Sequence, residues 1–393
     1  MPYLREFAFA LCEQGYEQGY VQRQLMLAAL FSQWLHKRGL QARDIRSEHA
    51  VQYLRSRHRE RRSSRGDAPA LDHLVAFLRA KRVIPPKPSA TPTLTGVQRC
   101  VRSYEGYLRD DRALSRATIL NYIPFVRDFL EVCFADRNVK LSELRAADVI
   151  SFVQRQARRL HVKRAKLMTT ALRSFLQYAR QRGSIHLHLV AAVPIVANWS
   201  MTSIPRAISP EQTRKLLASI ERSTPLGRRD YAMLLLLARL GLRSSEVIAL
   251  ELEDIDWKAG SINVRRKGYQ RSEMPLPTDV GRAIATYLRR GRPQCASRRL
   301  FVRARAPIRG FAGPCGLGSV IRHRLMRTGI QAPTYGAHQF RHGLASDMLR
   351  QGASLAEIGA VLGHQHPDTT RIYTKVDLKA LHRLAQPWPA IIP

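Results

Sequence analysis

The chain has 393 residues, more than one hydrophobic core usually holds, so two or three domains are expected. Its 65 Lys and Arg against 30 Asp and Glu give a formal charge of +35, a field that attracts polyanions and disfavours basic partners. With 45% hydrophobic residues the chain fills real cores, which excludes a purely disordered basic tail and makes nucleic acid the first candidate partner.

In chain order, the opening "MPYLREFAFALCEQG" carries Arg5, Glu6 and Glu13 around an apolar run too short for a secretion signal. Helical patterning then runs to a first break, "RVIPPKPSATPTLTG" from Arg82 to Gly96, where prolines and small polar residues predict a linker. A second break, from about Val193 to Pro210, ends in a Ser-Pro pair suited to opening a helix. Three units follow, 1–88, 92–195 and 205–393. The first two are helical and share a pattern. Phe31 and Trp34 match Phe129 and Val132, and Tyr53 and Leu54 match Phe152 and Val153. That likeness is open between a duplicated DNA-clamping module and chance mimicry between amphipathic helices. The run "RRSSRG" from Arg61 is likewise open between a DNA-backbone contact and a disordered loop.

The third unit mixes periods. Helices are expected from about Pro210 and Arg229, and the run "YAMLLLLARLGL" from Tyr231 reads as core, being too short to cross a bilayer and containing Arg239. No membrane partner is expected. In "SINVRRKGYQRSEMPLP", Ser261 to Pro277, two strand-like runs flank a polar tip with Lys267 near the turn. A short strand is expected at Leu300, and helices at Ser319, Ala337, Ser354 and Thr369, with Ser354 and Glu357 at capping-box spacing. The fold class is therefore mainly α with a small antiparallel β-sheet: a helical second unit, a mixed α/β third unit, and an extra helical amino-terminal region. Five cysteines, Cys12, Cys100, Cys133, Cys295 and Cys315, show neither zinc-ligand nor disulfide spacing, which points to a reducing cytoplasm and no metal.

The last sixty or so residues carry the chemical signal. "GAHQFRHGLASDML" supplies His338 and Arg341, "LGHQH" supplies His364 and "TTRIYTKV" supplies Tyr373, while upstream "ARLGLRSSEVIALELEDID" supplies Arg243 followed by Glu246. In order and spacing these motifs, with Lys267 in the hairpin, resemble those of the tyrosine recombinase and phage integrase family. The resemblance covers about Pro205 to Trp388 well, the preceding helical unit more loosely, and the first ninety or so residues not at all. Arg-Ser-Ser-Glu departs from the family in placing a small polar residue where an aliphatic one is frequent.

The resemblance implies a site-specific DNA recombinase or integrase, independent of metal, ATP and other cofactors, with 92–195 as a helical core-binding domain and 205–393 as a mixed α/β catalytic domain. Tyr373 would be the nucleophile that forms a 3′-phosphotyrosyl link and releases a 5′-hydroxyl. Arg243 and Arg341 suit the non-bridging phosphate oxygens, because guanidinium forks match that geometry and stay charged. Lys267 is the candidate acid for the leaving oxygen, and His338 and His364 would serve the phosphate and the tyrosine proton in an order left open. Glu246 is expected to brace Arg243 or cap the backbone. His342, His366, His186 and His188 receive no role. The implied partners are double-stranded DNA at specific sites and three further protomers, in a tetramer that passes through a Holliday junction. Accessory recombinases or DNA-bending proteins are further candidates, and the place of action is the bacterial cytoplasm, on the nucleoid. The first unit is assigned to arm-type DNA binding or protomer contacts, and its length leans towards a mobile element such as a transposon. The tail with Trp388 docks either on a neighbouring protomer or on its own domain. A type IB topoisomerase shares the residues but not the two-domain layout, and a pure DNA-binding protein has no need of the full set.

Overall fold

The structure, a computed structural model, describes residues 3–60, 66–85, 94–135, 138–196, 205–266 and 270–376. Lys267, the arginines at 61–65 and the tail with Trp388 lie outside the described residues. The chain divides into two compact units, one of residues 88–202 and one of residues 1–87 together with 203–393. The first and third sequence segments thus fall in one unit, where the Ile308 N–H donates to the Gln14 carbonyl at 2.9 Å.

In that unit the amino-terminal part runs α1 (Leu4–Glu13), α2 (Gln18–His36), a 3₁₀ turn (Ala42–Asp44), α3 (Ser47–Glu60) and α4 (Asp67–Ala80). Apolar residues at helical spacing, Phe7 and Leu11 on α1, Phe31 and Leu35 on α2, and Leu74 and Leu78 on α4, meet in one core. The 88–202 unit runs α5 (Gly96–Asp110), α6 (Arg116–Phe134), a 3₁₀ turn (Leu141–Glu143), α7 (Ala146–Ala157) and α8 (Val162–Gln181). Thr95 and Gln98 close a capping box at the start of α5, and Ser115 caps α6. Tyr104, Phe129, Phe152 and Phe175 fill its core.

The remainder is built on α10 (Pro225–Leu240), whose residues Ala232 to Leu237 are all buried, a helix apolar on every side because elements surround it. α9 (Pro210–Ala218) precedes it and α11 (Ser244–Ala249) follows. A three-stranded antiparallel sheet comes next, β1 (Ile255–Asp256), β2 (Ser261–Arg265) and β3 (Arg271–Pro275) in that order, with Val264 opposite Ser272. α12 (Thr278–Arg290), α13 (Pro314–Thr328), α14 (His338–Arg350) and α15 (Leu355–Leu362) complete it, ending in 3₁₀ turns at Pro367–Thr369 and Arg371–Val376.

The mainly helical fold with a small antiparallel sheet is as the sequence indicates. The hairpin forms at Ser261–Pro275, α9 starts at Pro210, α14 follows Ala337, and Ser354 and Glu357 make their capping box. Several expected boundaries shift. α10 starts at Pro225 and not Arg229, because Thr224 caps it and proline suits the first helical position, and α13 starts at Pro314, where proline again takes that position after Gly313. Leu300 starts no strand: its N–H bonds the Leu250 carbonyl while Arg303 bonds Arg309, so the segment has a different neighbour at each end and no ladder develops. The helix expected at Thr369 is two short 3₁₀ turns. No described helix is long and apolar enough to cross a membrane.

Candidate active site

α10 stops at Gly241, whose left-handed φ of 59° reverses the chain and sets Arg243 as the extended N-cap of α11. Glu246 does both things open to it. One carboxylate oxygen accepts from the Arg243 backbone N–H at 2.8 Å and the other from its guanidinium at 2.8 Å. The carboxylate is buried while the guanidinium is part-exposed, so the arginine is braced from behind with its outer face left open.

Arg341 projects from the first turn of α14 and is 3% exposed. It donates to the Gly241 carbonyl at 2.7 Å and to the Leu362 carbonyl, tying the end of α10 to the end of α15. Burial, and then the neighbouring Arg243, hold its pKa down at about 10, still charged at neutral pH. The Leu362 carbonyl accepts a second guanidinium, that of Arg266, at 2.6 Å. Arg266 is buried and its Nε has no partner, and burial again draws its pKa down. Three guanidiniums thus converge, with Glu246 facing them as the carboxylate that raises the pKa of both Arg341 and Arg266. An anion is the natural complement to that excess.

Arg266 also marks the hairpin tip. Its N–H donates to the Gln270 carbonyl at 2.7 Å and closes the loop that contains Lys267 in the sequence; Lys267 itself lies outside the described residues.

Tyr373 sits in the Arg371–Val376 turn and is 1% exposed. Its phenol oxygen lies 3.0 Å from Nδ1 of His342, with the rings edge to face at 5.7 Å. Burial pushes the phenol pKa up, while Arg341 and Arg243 pull it down. His364 lies parallel to the tyrosine ring at 6.5 Å, its Nδ1 2.7 Å from the Thr370 hydroxyl. Burial, then Arg341 and Arg243, lower the His364 pKa to about 4. His338, exposed at the start of α14, has its ring 6.3 Å from that of His342. Its pKa falls through partial burial, then Arg341 and Arg243; that of His342 falls through burial, then His338 and Arg341. All three imidazoles are therefore biased to the neutral form.

The structure brings Arg243, His338, Arg341, His364 and Tyr373 into one neighbourhood. It adds two residues that sequence reading passed over. His342 had a signal, since it stands four residues after His338 and so on the same face of a helix. Arg266 had none, because its burial depends on the end of α15. Among the described residues no group of three or more His, Cys, Asp or Glu side chains is placed to hold a metal ion.

Residues 206–379 match the model of the phage integrase family, and residues 101–183 match that of the phage integrase N-terminal SAM-like domain. A Sinorhizobium fredii (strain NGR234) protein named as an integrase/recombinase, y4rA, is 58% identical over 98% of this chain and 94% of its own length. The tyrosine recombinase XerC of Histophilus somni is 30% identical over 72% of this chain and 94% of its own. The XerH site-specific recombinase, solved on a palindromic difH substrate after cleavage, aligns with a TM-score of 0.58 and 19% identity. That alignment spans 79% of this chain and 93% of XerH, a likeness of fold.

Proposed function

This chain belongs to the phage integrase family of tyrosine recombinases, and from that premise we propose that it cuts and rejoins duplex DNA through a covalent link to Tyr373. The observation that carries the reading is the placement of a buried tyrosine against a neutral histidine, beside guanidiniums in excess of carboxylate. A phosphodiester in its pentacoordinate transition state gathers charge on its non-bridging oxygens, and Arg243 and Arg341 stabilise that charge without reorganising. Water has almost no access to Tyr373, so its proton passes to a protein group, and the group in contact is His342.

The phenol O–H proton goes to His342 Nδ1, the phenol oxygen bonds phosphorus, the P–O5′ bond breaks, and Lys267 protonates the leaving oxygen. His338 and His364 hydrogen-bond the phosphate. Because the phosphotyrosyl bond keeps the energy of the bond it replaces, rejoining needs no ATP, and the chain's own cations take the role a metal ion would fill. Residues 92–195 clamp one side of the duplex and 205–393 carry the chemistry. Four protomers on two sites exchange one strand pair at a time through a Holliday junction, on DNA in the cytoplasm, with accessory recombinases or DNA-bending proteins as further candidate partners.

The test uses nicked suicide duplexes recovered from a random-sequence pool by trapping on the wild-type chain, in chelator. A denaturation-resistant adduct that Tyr373→Phe does not form is expected. The same adduct with Tyr373→Phe, or none with the wild type, contradicts the reading.

A further inference from the structure

The matched SAM-like model begins at residue 101, yet the internal architecture of the first ninety or so residues repeats that of the SAM-like unit. Both run helix, helix, 3₁₀ turn, helix, helix, and the second helix has 19 residues in each. After the 3₁₀ turn each chain buries one aliphatic residue, Ile45 or Leu144, and then an arginine enters the third helix. The backbone N–H of that arginine bonds a side chain three residues on in both, Arg46 to His49 at 3.2 Å and Arg145 to Asp148 at 2.8 Å.

The cores agree as closely. The second and third helices meet through an aromatic pair, Phe31 with Tyr53 at 5.2 Å and Phe129 with Phe152 at 5.3 Å. The first and fourth meet through another, Phe7 with Phe77 at 5.4 Å and 50°, Tyr104 with Tyr178 at 5.3 Å and 49°. The fourth helices end alike. Arg82 and Gly183 adopt left-handed φ of 56° and 68°, and the next residue's N–H reaches back to Leu78 and to Ala179 at 2.9 Å in both. A buried isoleucine follows, Ile84 or Ile185. Independent helical hairpins share a helix order by accident, but not a turn, a cap, two ring pairs and a terminating motif in one sequence.

Charge identifies the ligand class. Exposed arginines stand around the third helix in each copy: Arg43 and Arg46 before it and Arg55 within it in one, Arg145 before it, Arg155 in its last turn and Arg158 at its C-cap in the other. The sequence stays basic past each, with six Lys and Arg from Arg55 to Arg65 and six from Arg155 to Lys166. Over 1–88 there are sixteen Lys and Arg against eight Asp and Glu.

We propose that the amino-terminal helices are a second copy of the SAM-like fold, and that the exposed arginines before and along its third helix bind the phosphate backbone of duplex DNA. Each protomer then holds two segments of DNA. This rests on the reading of 92–195 as a DNA clamp.

The test compares full-length wild type, an R43E/R46E/R55E variant and an R145E/R155E/R158E variant on a long mixed-sequence duplex, by affinity against salt and by hydroxyl-radical protection. Each lost phosphate contact lowers the salt slope by about 0.9, so a fall of about 2 to 3 is expected for the amino-terminal variant, with a shorter protected tract. Adduct formation by the amino-terminal variant at saturating DNA stays within about twofold of wild type, since neither the catalytic groups nor the 92–195 clamp are touched. The corresponding Arg→Gln variant, checked by thermal melting, repeats the measurement without charge reversal. A wild-type slope and tract in the amino-terminal variants overturns the inference, as does loss of self-association with DNA binding unchanged. If the 145–158 variant also keeps the wild-type slope, the clamp reading itself fails and this inference falls with it.

Discussion

Nδ1 of His342 lies 3.0 Å from the phenol oxygen of Tyr373, and the tyrosine is 1% exposed. A phenol shut away from water must hand its proton to a neighbour, and a neutral imidazole accepts it at Nδ1 when Nε2 carries the hydrogen. His342→Ala and His342→Gln should each slow single-turnover adduct formation by about 100-fold or more while DNA affinity stays near wild type. The deficit should shrink as pH rises towards the phenol's own pKa. A His342→Gln chain that cleaves at the wild-type rate would show that a hydrogen bond alone is required.

The Leu362 carbonyl accepts from both Arg341 and Arg266, so the end of α15 holds two cations in register. Lysine offers a point charge where Arg341 uses a fork to two carbonyls. Arg341→Lys should lower the cleavage rate by about 100- to 1,000-fold with little change in DNA affinity, as measured by adduct formation and filter binding.

Gly363 has a left-handed φ of 61°, and a Cβ there would fall on the Arg266 guanidinium. Gly363→Ala should cost about 1–3 kcal/mol in denaturant unfolding. Arg266→Ala, which removes a donor from Leu362 and Val361, should cost a similar amount. Since both act on one contact, the double variant should lose less than the sum of the two.

His364 has a folded pKa of about 4 against an ordinary value of 6.5. The folded chain therefore binds fewer protons than the unfolded chain between those values, and stability rises with pH across that window. The contribution is complete above about 6.5 and is lost as pH falls through about 4. Melting temperatures of wild type and His364→Gln should converge as pH falls from 7 to 4, with the variant showing the flatter curve. Parallel curves would contradict the assignment.

Much of this site is legible in the sequence because its residues lie in short motifs whose spacing helices preserve. His338, Arg341, His364 and Tyr373 could be named before their geometry was known. The contacts that unite them are tertiary. His342 meets Tyr373 only because the turns after Pro367 bring the chain back over α14, and Arg266 is buried only by the end of α15. Starts at Pro225 and Pro314 were obscured because the helix-opening prolines lie upstream of the apolar stripe. The proposed amino-terminal repeat was half visible, in Phe31 and Tyr53 against Phe129 and Phe152. The shared terminating motif was hidden because arginine at 82 takes the conformation that glycine takes at 183.

The central claim is that one tyrosine bonds to DNA. The most direct measurement digests the trapped adduct with protease and nuclease and locates the nucleotide by mass spectrometry of the peptides. The account predicts a 3′-linked nucleotide on Tyr373 and on no other residue. A nucleotide on a different side chain, or cleaved DNA with no linked peptide, would contradict it.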